Sequence, residues 1–141
     1  MKRTYKLTTA YAENLNKDTV WGDYPRPQFK RDSFISLNGE WDFAVQKSES
    51  FPSEYKEKIL VPFPPESALS GIERGIKRGE IMYYRRKFTL PDGFIKDRVI
   101  IHFGAVDQIA TLYINGQKLY SNEGGYLPFS CDITDSLTEG E

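Results

Sequence analysis

Cysteine and histidine are nearly missing from this 141-residue sequence, which holds one of each, Cys131 and His102. A single thiol closes no intrachain disulfide, so covalent staples cannot stand in for a core. Metal sites draw on clusters of these residue types, and with neither clustered no metal and no cofactor is expected. An excess of one charge is lacking too: nineteen Lys and Arg stand against twenty Asp and Glu, for a formal net charge of −1. Nucleic acids and anionic membranes are gripped by clustered basic side chains, so neither is an expected partner. No stretch approaches the ~18 consecutive apolar residues of a membrane-spanning helix. The opening "MKRTYKLTTAYAENLNKDTVWGDY" puts basic residues first with no apolar segment behind them, unlike a secretory signal. The expectation is a soluble, cytoplasmic chain.

Catalytic signatures are absent as well. The sequence has no Gly-x-Ser-x-Gly, no phosphate-binding glycine loop, no His-Glu-x-x-His and no Cys-x-x-Cys. What it does have is aromatic residues, nine Phe, nine Tyr and two Trp, together with eleven Gly and eight Pro. Aromatics favour pleated, half-buried surfaces and Gly and Pro favour turns, so β structure is expected over a helical bundle. A chain of this length can form one domain that buries roughly 70% of its unfolded surface.

Residues 1–34 mix polar residues with Pro25 and Pro27 and show no sustained period, the pattern of an extended N-terminal arm. In "LNGEWDFAVQ", Trp41, Phe43 and Val45 alternate with Glu40, Asp42 and Gln46, which predicts a half-buried strand. "ILVPFPPESALSG" predicts a strand stopped by Pro62, Pro64 and Pro65, then a single helical turn ended by Gly71. "IMYYRRKFTLP" sets Met82, Tyr84, Phe88 and Leu90 on one face, interrupted by Arg86, and predicts a strand reaching to Pro91. "RVIIHFGAV" is nearly continuous in apolar residues, as in a strand covered on both faces. "IATLYINGQKLY" places Ala110, Leu112 and Ile114 on one face and Asn115-Gly116 between two runs, the signal of a type I′ hairpin. "LPFSCDI" is the last candidate. Six or seven short strands at this spacing predict an all-β chain, a sandwich or jelly roll.

Few residues offer chemistry, and no catalytic residue is assigned. His102 lies in "VIIHFG", where a lone histidine reads as a hydrogen-bonded structural residue, and Cys131 alternates with apolar neighbours as a small core hydrophobe. Glu54 and Glu57 fall in a solvated run with Lys56 and Lys58, and Glu139 and Glu141 sit at the end. Glycoside hydrolysis requires two carboxylates held roughly 5 to 9.5 Å apart, and no such pair is legible. Glu123, next to Gly124-Gly125 and followed by Tyr126, is the one loop acid beside an aromatic able to stack on a sugar. Glu123 and Tyr126 are therefore the candidate substrate-binding residues. The bland alternative is a solvated turn whose tyrosine packs in the core.

Between Leu37 and Thr134, "LNGEWDF", "VPFPPES", "YYRRKFTLP", "VIIHFGAVDQIATLYINGQKL" and "GGYLPFSCDIT" follow one another in an order that resembles the N-terminal sugar-binding domain of glycoside hydrolase family 2. That family contains the β-galactosidases and β-glucuronidases. "YPRPQFKRDSFISLNG" looks like the leader that enters the domain in bacterial members. The resemblance implies a galactose-binding-domain-like jelly roll over residues 35–141, behind the arm of residues 1–34. It implies a parent retaining glycosidase in which an immunoglobulin-like domain and a catalytic TIM barrel follow. In that setting this domain walls the barrel mouth, touches the terminal β-linked sugar and joins the oligomer contact, a homo-oligomer included. By this reading the chain alone is inactive, because both catalytic glutamates lie elsewhere.

The galactosidase pattern offers the sugar an asparagine where this sequence has Phe63, Pro64 and Pro65, and an aspartate where it has Gly124. Both contacts are missing, and "GGYLPF" looks more like the glucuronidase branch. The family's jelly roll takes about eight strands, so the domain is expected to lack its last strand or strands and to associate through the edge left open. Two rivals stay open: an autonomous carbohydrate-binding module, and a β-sandwich used only for protein contacts.

Overall fold

The computed structural model describes residues 9–138, which fall into two compact units, the first ending at Lys87 and the second starting at Phe88. Seven strands carry most of the regular structure, joined by one short helix, α1 (Ala10–Glu13), and three single 3₁₀ turns. Among the described residues no helix is long and apolar enough to cross a membrane.

The first unit is built on β1 (Gly39–Gln46), flanked by β2 (Glu57–Val61) and β3 (Ile81–Arg85) in an antiparallel sheet of order β2-β1-β3. The alternation predicted for β1 holds, for Phe43 is fully buried and opposes Tyr84, whose ring meets it edge-on at 5.0 Å. Ile59 of β2, opposite Trp41, is equally buried. Charged residues share the other face: Asp42 lies opposite both Lys58 and Arg85, and its carboxylate pairs with each, at 2.6 Å and 2.8 Å. The Arg85 guanidinium also lies 4.1 Å over the Tyr55 ring.

After Val61 the prolines end β2, and the turn Ala68–Ser70 forms with Ser67 capping the Leu69 N–H at 3.1 Å. Gly71 stops it at φ +81°, a left-handed angle that glycine adopts at least cost. The buried Ser70 hydroxyl donates to the Ser67 and Pro65 carbonyls at 2.7 and 3.2 Å. In the segment before the sheet, Val20 is buried and the exposed Trp21 ring meets Phe63 edge-on at 5.2 Å.

The second unit holds two antiparallel pairs, β4 (Ile100–Phe103) with β7 (Phe129–Asp132) and β5 (Ile109–Ile114) with β6 (Gln117–Glu123). Asn115 and Gly116 join β5 to β6 at φ +49° and +79°, the two left-handed angles of the predicted type I′ turn. A register shift after Leu112 sets Leu112 opposite Tyr120 and Tyr113 opposite Lys118, so Leu119 has no partner across the pair. Val99, Ile114 and Ile133 form the core, with Phe88, Leu90, Ile101, Leu112 and Leu119 packed against them. Cys131 joins the same cluster, as a small hydrophobe would.

Two strand expectations are corrected. β3 ends at Arg85, not near Pro91, because its pairing with β1 runs out at Asp42, and Phe88 and Leu90 contribute to the core of the second unit instead. β4 is not covered on both faces: Ile100 is 38% exposed and His102 is exposed, while Ile101 and Phe103 are half-buried. A continuous apolar run does not reveal which of its residues the second face will cover.

Candidate functional site

A groove of about 510 Å³ opens along the second unit where β6 leads into β7, within the usual size range of small-molecule sites. Both sequence candidates line it, Glu123 and Tyr126, together with Tyr120, Asn122, Leu127 and Phe129. β4–β7 pairing sets Phe103 opposite Phe129, and the two rings stack at 4.8 Å between centroids; the Tyr120 ring stacks on Phe129 at 5.7 Å. Of these three rings, Tyr120 and Phe129 line the groove and make one apolar side of it, and Phe103 supports Phe129.

The loop between β6 and β7 sets the groove's polar side. Glu123 ends β6 opposite Ile109. Gly124 follows at φ +115°, a conformation that side chains rarely adopt, and its N–H donates to the Gln108 carbonyl at 2.8 Å. The Asn122 side-chain amide donates to the Gly124 carbonyl at 3.2 Å. Tyr126 is 96% exposed, so its ring is not packed in the core. Ser130 also lines the groove, and its Oγ lies 2.6 Å from His102 Nδ1, which gives the lone histidine the hydrogen-bond partner expected of it, though on an exposed surface. Asp132, two residues on along β7, has its carboxyl held below the ordinary range, first by the Thr134 hydroxyl and then by the Thr134 backbone N–H.

Glu54 pairs with Lys56 at 3.5 Å in solvent, while Glu139 and Glu141 lie outside the described residues. Among the described residues no group of three or more His, Cys, Asp or Glu comes close enough to hold a metal ion. Chemically the groove can stack a ring face and donate or accept hydrogen bonds at its rim, which is how proteins hold a pyranose. Tyr120, Asn122 and Phe129 were missed as site residues. Tyr120 and Phe129 fall in runs that read as strand and Asn122 in neither run, and only the pairing of strands distant in sequence shows which faces meet the groove.

Residues 71–141, which include the whole groove, match the family described as "Glycosyl hydrolases family 2, sugar binding domain". The chain belongs to this family. A β-glucuronidase of Formosa agariphila is 44% identical over 64 residues, covering 45% of this chain and 6% of that protein. The β-glucuronidase of Felis catus is 28% identical over 134 residues, covering 83% of this chain. The chain spans about a fifth of the cat protein's length, 20%. The solved Bifidobacterium dentium β-glucuronidase, complexed with coumarin-3-O-glucuronide, superposes with a TM-score of 0.61 at 30% identity, covering 84% of this chain and 20% of that one. The all-β fold expected from the sequence is thus the β-sandwich fold of these relatives.

Proposed function

We propose that this chain is the non-catalytic sugar-binding domain of a retaining β-glycosidase that acts on terminal β-glucuronides, and that Glu123 and Tyr126 meet the sugar. The observation that carries the reading is the family match over residues 71–141, because it contains every residue of the groove. Glucuronides are preferred over galactosides because the relatives that match across four fifths of the chain are β-glucuronidases. Tyr126 supplies a ring for the apolar face of the pyranose and Glu123 accepts from its hydroxyls. The sugar's own carboxylate is then directed away from Glu123, since two like charges in contact repel.

The groove is open to solvent, so the chain by itself is expected to bind weakly and to cleave nothing. A titration of the isotope-labelled chain with methyl β-D-glucuronide, read by amide chemical shifts, tests this. Expected are shifts confined to residues 120–130 with a Kd weaker than about 1 mM, and no release of aglycone from a chromogenic β-glucuronide. Shifts confined to another part of the chain would dismiss the groove. Saturation well below millimolar sugar would identify an autonomous carbohydrate-binding module instead.

A further inference from the structure

Glu123 and Tyr126 flank a two-glycine step, and neither candidate has packing of its own to aim it. Tyr126 is 96% exposed and Glu123 is exposed at the end of β6, so the direction of both is inherited from the backbone between them. That backbone is held at both glycines. Gly124 donates its N–H to the Gln108 carbonyl at 2.8 Å and accepts from the Asn122 amide at 3.2 Å. Gly125 has no room for a side chain, because a Cβ there would lie 2.8 Å from Asp107 Cβ and 2.9 Å from Asp107 Cγ. The Asp107 side chain fills the space that any other residue at position 125 would need.

We propose that Asp107 and Asn122 are positioning residues, which lock the Gly124-Gly125 step and so fix how Glu123 and Tyr126 face the groove. The proposal rests on the sugar-site reading above. Asp107 acts by shape, through the bulk it places against Gly125; Asn122 acts by its hydrogen bond to Gly124. A turn that merely closed β6 would tolerate a shift of Tyr126. A platform for a ligand would not, since displacement by about 1 Å spoils a bound geometry.

The test uses the whole chain and two readouts: amide hydrogen exchange at Gly124 and the chemical-shift change of Tyr126 with methyl β-D-glucuronide. Gly125→Ala is expected to speed exchange at Gly124 about tenfold, the equivalent of one lost hydrogen bond, and to erase the Tyr126 shift. Adding Asp107→Gly, which vacates the space, restores both. Asp107→Asn, of the same shape, keeps both as in the native chain. Asn122→Ala speeds exchange without any clash, and it carries the test should Gly125→Ala fail to fold. Native exchange in Gly125→Ala or Asn122→Ala, or failure of the double variant to recover, would overturn the proposal. A native chain whose Tyr126 never responds to the sugar sinks the sugar-site reading while the exchange results still decide the positioning roles.

Discussion

Arg86 and Gly39 are made for one another. The Arg86 Nη1 donates to the Leu37 and Asn38 carbonyls, each at 3.0 Å, and a Cβ on Gly39 would sit 3.1 Å from that nitrogen. Gly39 stands at φ +119°, where glycine alone is unstrained. The Leu37 carbonyl also accepts the Trp41 indole N–H at 2.7 Å, so both of its lone pairs are used. Arg86→Met removes one of the two donors to the Leu37 carbonyl and the donor to the Asn38 carbonyl, and is expected to cost about 2 kcal/mol, as measured by denaturant unfolding. Gly39→Ala is expected to cost at least as much, since strain adds to the clash.

Asp42 links the three strands of the first sheet. Its pKa is lowered, first by the hydrogen bond from Lys58 and then by that from Arg85. A carboxylate with a depressed folded pKa contributes stability that is present above its ordinary value near 3.8 and lost as pH falls through the lowered one. Asp42→Asn is therefore expected to be less stable at neutral pH by under about 1 kcal/mol, the scale of partly exposed ion pairs. The two proteins should converge in acid, and melting temperatures recorded from neutral pH down through that window check it.

Tyr84 predicts the opposite end of the scale. Burial, and secondarily the Glu66 charge, push its phenol up to about 12. The unfolded chain releases this proton near its ordinary value of 10.0 and the folded chain holds it, so stability is expected to fall as pH climbs from 10 to 12. Tyr84→Phe should flatten that decline. Phenolate absorbance during a base titration should show a late-ionising component, and the part of it that disappears in Tyr84→Phe belongs to Tyr84.

Asn115 has two tasks where the sequence showed one. Beyond its left-handed turn position, its side-chain amide donates to the Ser136 carbonyl at 2.9 Å, tying the segment after β7 to the hairpin. Asn115→Gly keeps the turn and loses the tie; Asn115→Ala loses both. Thermal melts should rank native above Gly and Gly above Ala, with the Ala variant down by about 1 to 2 kcal/mol.

Tyr126→Ala is expected to change stability by less than about 0.5 kcal/mol, because an exposed ring has no packing to lose. The same variant should abolish the sugar-induced shifts in the groove. Loss of fold together with loss of shifts would remove Tyr126 from the site and return it to the scaffold.

Elements fixed by local chemistry were legible in the sequence. Asn115-Gly116 demands two left-handed angles and Gly71 a third, and all three occur as expected. Glu123 and Tyr126 could be named because two glycines between an acid and an aromatic mark a loop. Asp107 could not: it lies far from Gly125 along the chain, and nothing around it announces the contact. The same holds for the end of β3. Alternation continues past Arg85 to Leu90, but whether a strand continues depends on whether its neighbour still offers partners.

The order of strands in the second unit bears on how it folds. β4 and β7 pair across the intervening chain 104–128, and the β5–β6 hairpin lies entirely inside that loop. A hairpin closed by a two-residue turn forms on the microsecond scale, well before strands so far apart meet by diffusion. Once formed, it withdraws residues 109–123 from the loop that β4 and β7 must close and lowers the entropy cost of closing it. Asn115-Gly116 therefore governs the rate at which a pair of strands it never touches can find each other.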